Sequence, residues 1–175
     1  MIELLRRRRS IRRFKQTPVK KESIDTLVEA MLRSPSSRGL NPWHFVVVDD
    51  GETIARLSDS KAHGSGFLKS APLAIVVCAD PEISDVWVED ASIAALILHL
   101  AATDLGLGSC WIQIRLRDHG AGGTAEEYIK KELGLEKKMS VEAIIAIGYP
   151  EEQKPGHDLS TLLFDRVSYN RYGRQ

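Results

Sequence analysis

The sequence predicts a layered fold of helices and strands, of either the α+β or the α/β class. Four apolar runs have the length of buried strands, and amphipathic or wholly apolar helical segments separate them along the chain. With 175 residues, of which 43% are apolar and 27% charged, the chain has the size and composition of one compact domain. We therefore expect a single domain over residues 1–175, with residues 150–175 as a more polar C-terminal tail.

The first part of the chain is predicted to hold two helices. Residues 2–8 can form a short amphipathic helix, and an arginine-rich segment follows it as a loop. Apolar residues then recur at helical spacing from Ile24 to Leu32, which predicts a helix over about residues 20–33. Residues 34–43 contain two prolines, a glycine and three serines, a composition typical of a loop rather than of a helix or a central strand.

The four predicted strands alternate with helices in the rest of the chain. They cover residues 44–48, 73–79, 109–114 and 141–148. Helices are predicted at 52–60, 85–105 and 124–133, the last of them opened by a capping box. Residues 91–105 are apolar on nearly every helical face, so this helix belongs in a core or in an obligate interface. The sheet lacks an obvious fifth strand, which the tail could supply to its own subunit or to a neighbour.

Charge and cysteine usage argue against several classes of protein. Lysine plus arginine equals aspartate plus glutamate, at 24 each, which disfavours a dedicated nucleic-acid binder. Charge interrupts the first residues where a signal peptide would be apolar, and the longest weakly polar stretch is too short to cross a bilayer. Cys78 and Cys110 are expected to be buried free thiols in a reducing compartment, which predicts a cytoplasmic location.

The sequence offers little catalytic machinery of its own. The five histidines show no pairing at helical spacing, so we expect no metal site, and His99 is interpreted as a core residue. Gly106 and Gly108 follow a predicted helix rather than a strand, the wrong context for a dinucleotide fingerprint. Cys110 lacks an identifiable activating base. This scarcity favours a cofactor that brings its own reactivity.

The arginine-rich segment at residues 8–14 points most directly to a ligand. Four arginines surround Ser10, and a guanidinium group offers two parallel N–H donors that match a pair of phosphate oxygens. A solvated charged face is the other interpretation of such a run. Together with the serine-rich loop at 34–43 and the apolar run around Trp111, the segment favours a flat, phosphorylated and partly apolar ligand.

Five motifs, taken in order along the chain, resemble the nitroreductase family of FMN-dependent homodimeric oxidoreductases. They are RRSIRRF at residues 8–14, SPSS through NPW at 34–43, GLGSCWI at 106–112, AIGYP at 146–150 and YNRY at 169–172. The resemblance implies an α+β fold, an α/β/α sandwich whose central, mainly antiparallel sheet is flanked by helices, in an intertwined homodimer. It implies that the apolar helix forms the dimer core, and it leaves open whether the tail is exchanged between subunits.

The resemblance also implies roles for particular residues. Those expected to hold the FMN phosphate, ribityl chain and pyrimidine edge are Arg8, Arg9, Ser10 and Arg12. Those expected to reach the isoalloxazine ring of the other subunit's flavin are Pro35, Ser36, Ser37 and Asn41. Those expected to lie along the ring are Trp111, Ile112, Gln113 and Ile114, with backbone N–H groups near Gln113 and Ile114 facing N5 and O4.

Two features depart from the family pattern. Family members often carry a glycine where Ile114 stands, and the larger members have a further basic pair for the phosphate after the last strand. The basic residues available there in this chain are Lys154, His157, Arg166 and Arg171. The segments between strands are short, which indicates an open pocket.

The activity implied by the resemblance is hydride transfer from NADH or NADPH through flavin N5 to a small acceptor, nitroaromatic or quinone, by a ping-pong mechanism. No catalytic side chain is required, because the chemistry takes place on the flavin. The alternatives are a specialised flavin reaction, such as reductive dehalogenation or flavin breakdown, and a non-catalytic flavin carrier or sensor.

Overall fold

A four-stranded antiparallel sheet forms the centre of the protein. The computed structural model describes residues 1–174. The strands are β1 (Trp43–Val48), β2 (Leu73–Ala79), β3 (Gly108–Gln113) and β4 (Ser140–Gly148), and they lie in the order β1-β2-β4-β3. Every pairing is antiparallel. The strands β1 and β3 stand at the two ends of this order and are the edge strands. Within residues 1–174 the tail adds no strand to either edge.

Helices cover both faces of the sheet. They are α1 (Ile2–Arg7), α2 (Lys21–Leu32), α3 (Gly51–Ser58), α4 (Trp87–Asp104) and α5 (Ala125–Leu133). Helices α2 and α4 pack on one face, where Leu98 and Ile145 belong to one apolar cluster, and α3 and α5 pack on the other, where Ile129 and Ile144 belong to a second. Successive residues of β4 serve opposite clusters because side chains alternate along a strand. The predicted α+β class is confirmed.

The predicted helices and strands are all present, with differences at their ends. Strand β3 ends at Gln113, one residue before the predicted end, although the N–H of Ile114 still donates to the carbonyl of Glu142 at 3.1 Å. Helix α4 begins at Trp87, two residues later than expected. The loop at 34–43 contains one turn of 3-10 helix, Ser37–Gly39, which its composition did not predict.

The tail beyond Pro150 runs over the surface. Between residues 151 and 174 its regular structure consists of two short 3-10 turns, Leu159–Thr161 and Phe164–Arg166. Apolar side chains such as Leu163 and Phe164 are exposed there. Across residues 1–174, no helix combines the length and the apolar character needed to cross a bilayer.

Candidate functional site

A cavity of about 660 Å³ lies between the arginine-rich segment and the C-terminal end of α4. Its lining residues are Arg7, Arg8, Arg9, Ile11, Thr103, Gly106, Leu107, Gly108, Pro150, Glu152, Gln153, Lys154 and Pro155. Three guanidinium groups and one ammonium group therefore surround it, against a single carboxylate. We call it the basic cavity. Its charge suits an anion such as a phosphate.

Hydrogen bonds from two directions hold the arginine-rich segment in place. On one side the N–H of Ile11 donates to the carbonyl of Ser109 at 3.0 Å. On the other side the ammonium of Lys154 donates to the carbonyl of Ser10 at 3.0 Å, and Arg9 donates to the carbonyl of Pro155. The sequence left the role of Lys154 open, and the structure places its side chain in the cavity wall, in contact with this segment.

Glu152, the one carboxylate of the cavity, fixes the backbone beside it. It accepts hydrogen bonds from the N–H of Arg12 at 2.6 Å and of Arg13 at 3.3 Å, and it pairs with Lys154 at 3.0 Å. The hydrogen bond from Arg12 and the neighbouring lysine lower the pKa of Glu152, which therefore stays ionised. The backbone is thus fixed by a carboxylate while the guanidinium groups of Arg8 and Arg9 face the cavity.

A close approach of two backbone segments requires glycine at the start of β3. A Cβ atom built on Gly108 would lie 2.8 Å from the Cβ atom of Ile11. This distance is far inside van der Waals contact, so any side chain at this position would displace the arginine-rich segment.

The outer edge of β3 continues from the basic cavity. Because the N–H of Ile114 is donated to β4, the residues of β3 that hydrogen-bond to β4 are the even-numbered ones. The N–H and C=O groups of Trp111 and Gln113 therefore point away from β4, toward the open edge. These two N–H groups are donors that a flat ligand lying along the edge can use.

Both ends of this open edge are closed by hydrogen bonds. At the first end Ile11 covers the carbonyl of Ser109, as described above. At the other end the ammonium of Lys61 donates to the carbonyl of Gln113 at 3.0 Å. The basic cavity reaches Gly108, the first residue of β3, and the open edge begins three residues later at Trp111, so we treat the two together as one candidate site.

The four residues expected along a flavin ring contribute to this edge in different ways. The indole N–H of Trp111 donates to Oε1 of Gln113 at 2.9 Å, and the indole ring packs toward α4. The side chains of Ile112 and Ile114 are buried under α3 and α5, so they do not face the edge. The N–H of Ile114, expected to face the flavin, is instead donated to Glu142, because β3 still pairs with β4 at this point.

Arg12 lies apart from Arg8 and Arg9. Its guanidinium carbon is 5.7 Å from the centre of the Phe67 ring, a cation–π arrangement, and it is absent from the lining of the basic cavity. Ser10, between the two, faces Cys110 and pairs with Ser109 across a short backbone bridge. The arginine-rich segment therefore directs Arg8 and Arg9 to the basic cavity and Arg12 to the Phe67 ring.

The serine-rich loop lies at the opposite end of α4. The N–H of Ser37 donates to the carboxylate of Asp90, a buried residue in the first turn of α4, at 2.8 Å. Thr103, in the wall of the basic cavity, follows Asp90 by 13 residues, a separation of about 20 Å along the helix axis. A single chain therefore does not bring the loop to the cavity.

The loop itself is tightly folded. The hydroxyl of Ser36 accepts the N–H of Asn41 at 2.8 Å and donates to its Oδ1 at 2.7 Å. Asn41 holds a positive φ of 49°, and both it and Pro35 are exposed. The loop thus offers side-chain amide and backbone groups outward, away from its own chain.

The residues predicted to be buried are confirmed as such. His99 is 8% exposed, and burial, with Arg8 as a lesser cause, lowers its pKa to about 4. Cys78 and Cys110 are buried free thiols, and burial raises the pKa of both, that of Cys78 to about 12. Neither thiol is therefore suited to nucleophilic chemistry. No group of three metal-binding side chains lies together anywhere in residues 1–174.

A buried carboxyl group that was not predicted, that of Glu142, lies on β4 next to the end of β3. Val77 pairs with Ala143 and Cys78 with Val141, so Glu142 is the extra residue of a bulge in β4. Its side chain is 4% exposed, and its Oε2 atom has no hydrogen-bond partner within residues 1–174. Burial raises its pKa, although nearby Arg115 opposes this. A glutamate within an apolar strand was the signal that could have revealed it.

The donor set fits the flavin mononucleotide that the motifs suggested. The basic cavity offers cations for a phosphate, and the adjoining edge offers two N–H groups that could meet the acceptor atoms of a flat ring. The close contact between Gly108 and Ile11 holds the arginine-rich segment, which supplies the cations, against β3, which supplies the N–H groups.

Comparison with known proteins gives consistent matches over most of the chain. The pattern of the Nitroreductase family matches residues 5–64 and 59–149. A protein of Archaeoglobus fulgidus, provisionally named NADH dehydrogenase/NAD(P)H nitroreductase, is 32% identical over 99% of this chain and 97% of its own length.

Solved structures agree with the sequence matches. An FMN-dependent nitroreductase from Clostridium difficile R20291 superposes with a TM-score of 0.96 at 49% identity, over 98% of this chain and 100% of that one. The NADPH:FMN oxidoreductase of Vibrio harveyi, solved with NAD⁺, gives a TM-score of 0.80 at 25% identity, over 98% of this chain and 77% of that one.

Proposed function

The chain belongs to the nitroreductase family, and we propose that it is an FMN-dependent oxidoreductase that uses NADH or NADPH as its hydride donor. The observation that carries the proposal is the basic cavity at the start of β3 together with the unpaired N–H groups on the open edge of the same strand. Relatives named as FMN-dependent nitroreductase and NADPH:FMN oxidoreductase support the choice of cofactor and donor.

The basic cavity would hold the phosphate of FMN. Arg8, Arg9 and Lys154 supply the positive charge. Glu152 holds the backbone of the arginine-rich segment in place, and its single negative charge leaves the cavity with a net positive charge. Charge-assisted hydrogen bonds to a phosphate are about twice as strong as neutral ones. Ser10 and Arg12, on the same segment, would meet the ribityl chain and the pyrimidine edge.

The open edge of β3 would hold the ring. The N–H groups of Trp111 and Gln113 are directed there, and N–H donors on the pyrimidine side favour a ring that carries negative charge. When bound, FMN accepts a hydride and passes it to the acceptor, so that no side chain needs to act as an obligatory acid or base. The protein would bind and orient the cofactor and its substrates and would exclude water from the site.

We propose that the active form is a homodimer. Leu96 is 49% exposed and Ile93 is 40% exposed on the outer face of α4, and large apolar side chains on one helix face are typical of an obligate interface. The loop of Ser36, Ser37 and Asn41 lies about 20 Å from its own cavity along α4. A partner subunit would bring its own copy of this loop to each ring, and the exposed apolar tail could be exchanged in the same dimer.

The finer parts of the proposal concern the acceptor and the order of events. A small nitroaromatic or quinone would follow the oxidised donor into the same face of the site, in a ping-pong sequence. The buried free thiols support a reducing, cytoplasmic environment.

The test begins with the colour of the purified protein. It should be yellow, release FMN on denaturation, and lose its colour when NADH or NADPH is added without oxygen. Added nitroaromatic or quinone should restore the colour. A colourless protein that takes up no added FMN would contradict the proposal.

A further inference from the structure

Lys61 is a partly buried lysine whose hydrogen-bond acceptor is a neutral group. Its ammonium donates to the carbonyl of Gln113 at the far end of the open edge. Burial is the main cause that lowers its pKa, and the positive charge of Arg117 is the second. An opposite charge near this ammonium would favour its charged form.

Arg117 brings a second cation to the same place. Its guanidinium donates to the carbonyl of the preceding Leu116 at 2.9 Å. Within residues 1–174 neither Lys61 nor Arg117 forms an ion pair with a carboxylate. Two cations on neighbouring loops are thus left without an ion-pair partner in this part of the chain, and an anionic ligand could pair with both.

The loop that carries Lys61 and the loop that carries Arg117 pack against each other. A ring nitrogen of His119 lies 3.1 Å from the carbonyl of Ser60. A Cβ atom built on Gly120 would lie 3.3 Å from that of Ala62. The loop that carries Arg117 is therefore packed against the loop that carries Lys61.

An apolar side chain stands beside these charges. Leu116 is 76% exposed and holds a positive φ of 57°. An L-residue with a large side chain rarely adopts this conformation, and strained residues of this kind cluster at ligand sites. The same short segment therefore presents both a cation and a leucine to the solvent, which suits a ligand that is both charged and aromatic.

We propose that Lys61 and Arg117 form a binding site for a phosphate group of the nicotinamide dinucleotide, with Leu116 as its apolar contact. The proposal rests on the proposed function, because the donor must lie across the flavin at the Gln113 end of the edge. The phosphate could be the pyrophosphate shared by NADH and NADPH or the 2′-phosphate of NADPH alone. Both have the chemistry that an ammonium and a guanidinium recognise.

Arg117→Gln is the main test, because the hydrogen bond of Arg117 to Leu116 lies within its own loop. With FMN-loaded protein, the apparent Kd for NADH and NADPH is taken from anaerobic bleaching in a stopped-flow instrument. We expect it to rise about tenfold or more for at least one donor, with unchanged flavin occupancy and unchanged thermal midpoint. Arg117→Lys should recover part of the loss, because the charge returns without the planar fork.

A binding measurement without turnover separates the two phosphates. Oxidised holoprotein is titrated calorimetrically with ADP and with adenosine 2′,5′-bisphosphate. Arg117→Gln should weaken both if the site takes the pyrophosphate, and only the second if it takes the 2′-phosphate; either result supports the site. Lys61→Gln should weaken binding in the same direction. In the same titration repeated over a range of salt concentrations, the double variant Lys61→Gln with Arg117→Gln should lose most of the salt dependence that the unchanged protein shows.

Lys69→Gln is the matched control, since it removes one exposed positive charge a few residues away from Lys61. The inference is overturned if Arg117→Gln binds both donors within twofold of the unchanged protein, or if Lys69→Gln gives the same loss. It is also overturned if the defect is confined to reoxidation by the acceptor. A yellow protein bleached normally by both donors in every variant would contradict this inference while leaving the proposed function intact.

Discussion

The Nδ1 atom of His99 lies 2.7 Å from the hydroxyl oxygen of Ser109, in the wall between α4 and the arginine-rich segment. Burial and the neighbouring Arg8 keep this imidazole neutral, with a pKa lowered from 6.5 to about 4. The hydrogen bond therefore links the helix to the strand without adding charge next to the basic cavity.

This neutral histidine predicts a loss of stability in acid. Its pKa is lower in the folded than in the unfolded chain, so its contribution is present above pH 6.5 and is lost as the pH falls toward 4. The shift corresponds to about 3 kcal/mol at most. His99→Gln cannot ionise, and its free energy of unfolding, measured with urea on the apoprotein, should fall less between about pH 7 and pH 4.5. Parallel curves for the two proteins would contradict the prediction.

Glu142 should destabilise the folded protein at high pH, whereas His99 should do so at low pH, and Glu142→Gln tests this. The raised pKa of Glu142 means that the folded protein favours the protonated acid, so stability is lost as the pH rises through the folded pKa. The glutamine variant should therefore gain thermal stability relative to the natural protein at about pH 8, by a few degrees, and should show no gain near about pH 4. Differential scanning calorimetry of the apoprotein at both pH values checks this, and a gain that is the same at both would count against it.

Arg8→Ala should weaken the binding of FMN. Arg8 lines the basic cavity, and loss of one charge-assisted contact to a phosphate costs roughly 1.5–3 kcal/mol, or about 10- to 150-fold in Kd. Fluorescence titration of apoprotein with FMN measures the change. Arg13→Ala is the control, because Arg13 is an exposed arginine of the same segment that is absent from the cavity lining. Equal losses in both variants would show that net charge alone is responsible.

Leu96→Asp should give a folded monomer that holds FMN poorly. Leu96 is on the outer face of α4, so the change leaves the core of the subunit intact. Its neighbour Ala95 is completely buried against the subunit's own sheet, and Ala95→Asp should instead unfold the chain by burying an unpaired charge. Analytical ultracentrifugation, circular dichroism and flavin absorbance distinguish the two. A Leu96→Asp protein that stays dimeric and fully yellow would exclude this face as the interface.

Gly108→Ala should destabilise the protein by about 1–3 kcal/mol, because overpacking against Ile11 forces the arginine-rich segment to move. The same movement should loosen FMN. Gly66→Ala is the matched control, since a Cβ there would meet open space and the φ angle is ordinary. Urea unfolding and FMN titration on both variants provide the comparison, and a Gly108→Ala protein that matches the control would argue against the close approach.

Most of the fold could be predicted because its signals are local. The four strands are predominantly apolar runs, and the capping box of Thr124 and Glu127 forms as predicted. The faces of α4 could not be predicted, because a helix apolar on all sides gives no periodic signal. The structure shows that Ala91, Ala95 and Leu98 face the sheet and are completely buried, while Ile93 and Leu96 face outward.

The candidate site was predictable only in part, since it depends on contacts between distant residues. The arginine-rich segment is visible in the sequence, but the position of Lys154 against Ser10 depends on a contact across 144 residues. The glutamate in the apolar run 141–148 could have marked Glu142, but the bulge at this position depends on the pairing of β4 with β2, which are distant in sequence. Lys61 sits in a stretch with no regular pattern, so nothing in the sequence marked it out.

The contact between Ser10 and Lys154 also sets the order in which the protein can mature. A ribosome that adds about 5–20 residues per second needs about 7 to 30 seconds to make the 144 residues between them. Until then the nascent chain has arginines but no second wall for a phosphate. Cofactor capture therefore has to wait until Lys154 has been made, so the arginine-rich segment, although translated first, cannot retain a phosphate by itself in this arrangement.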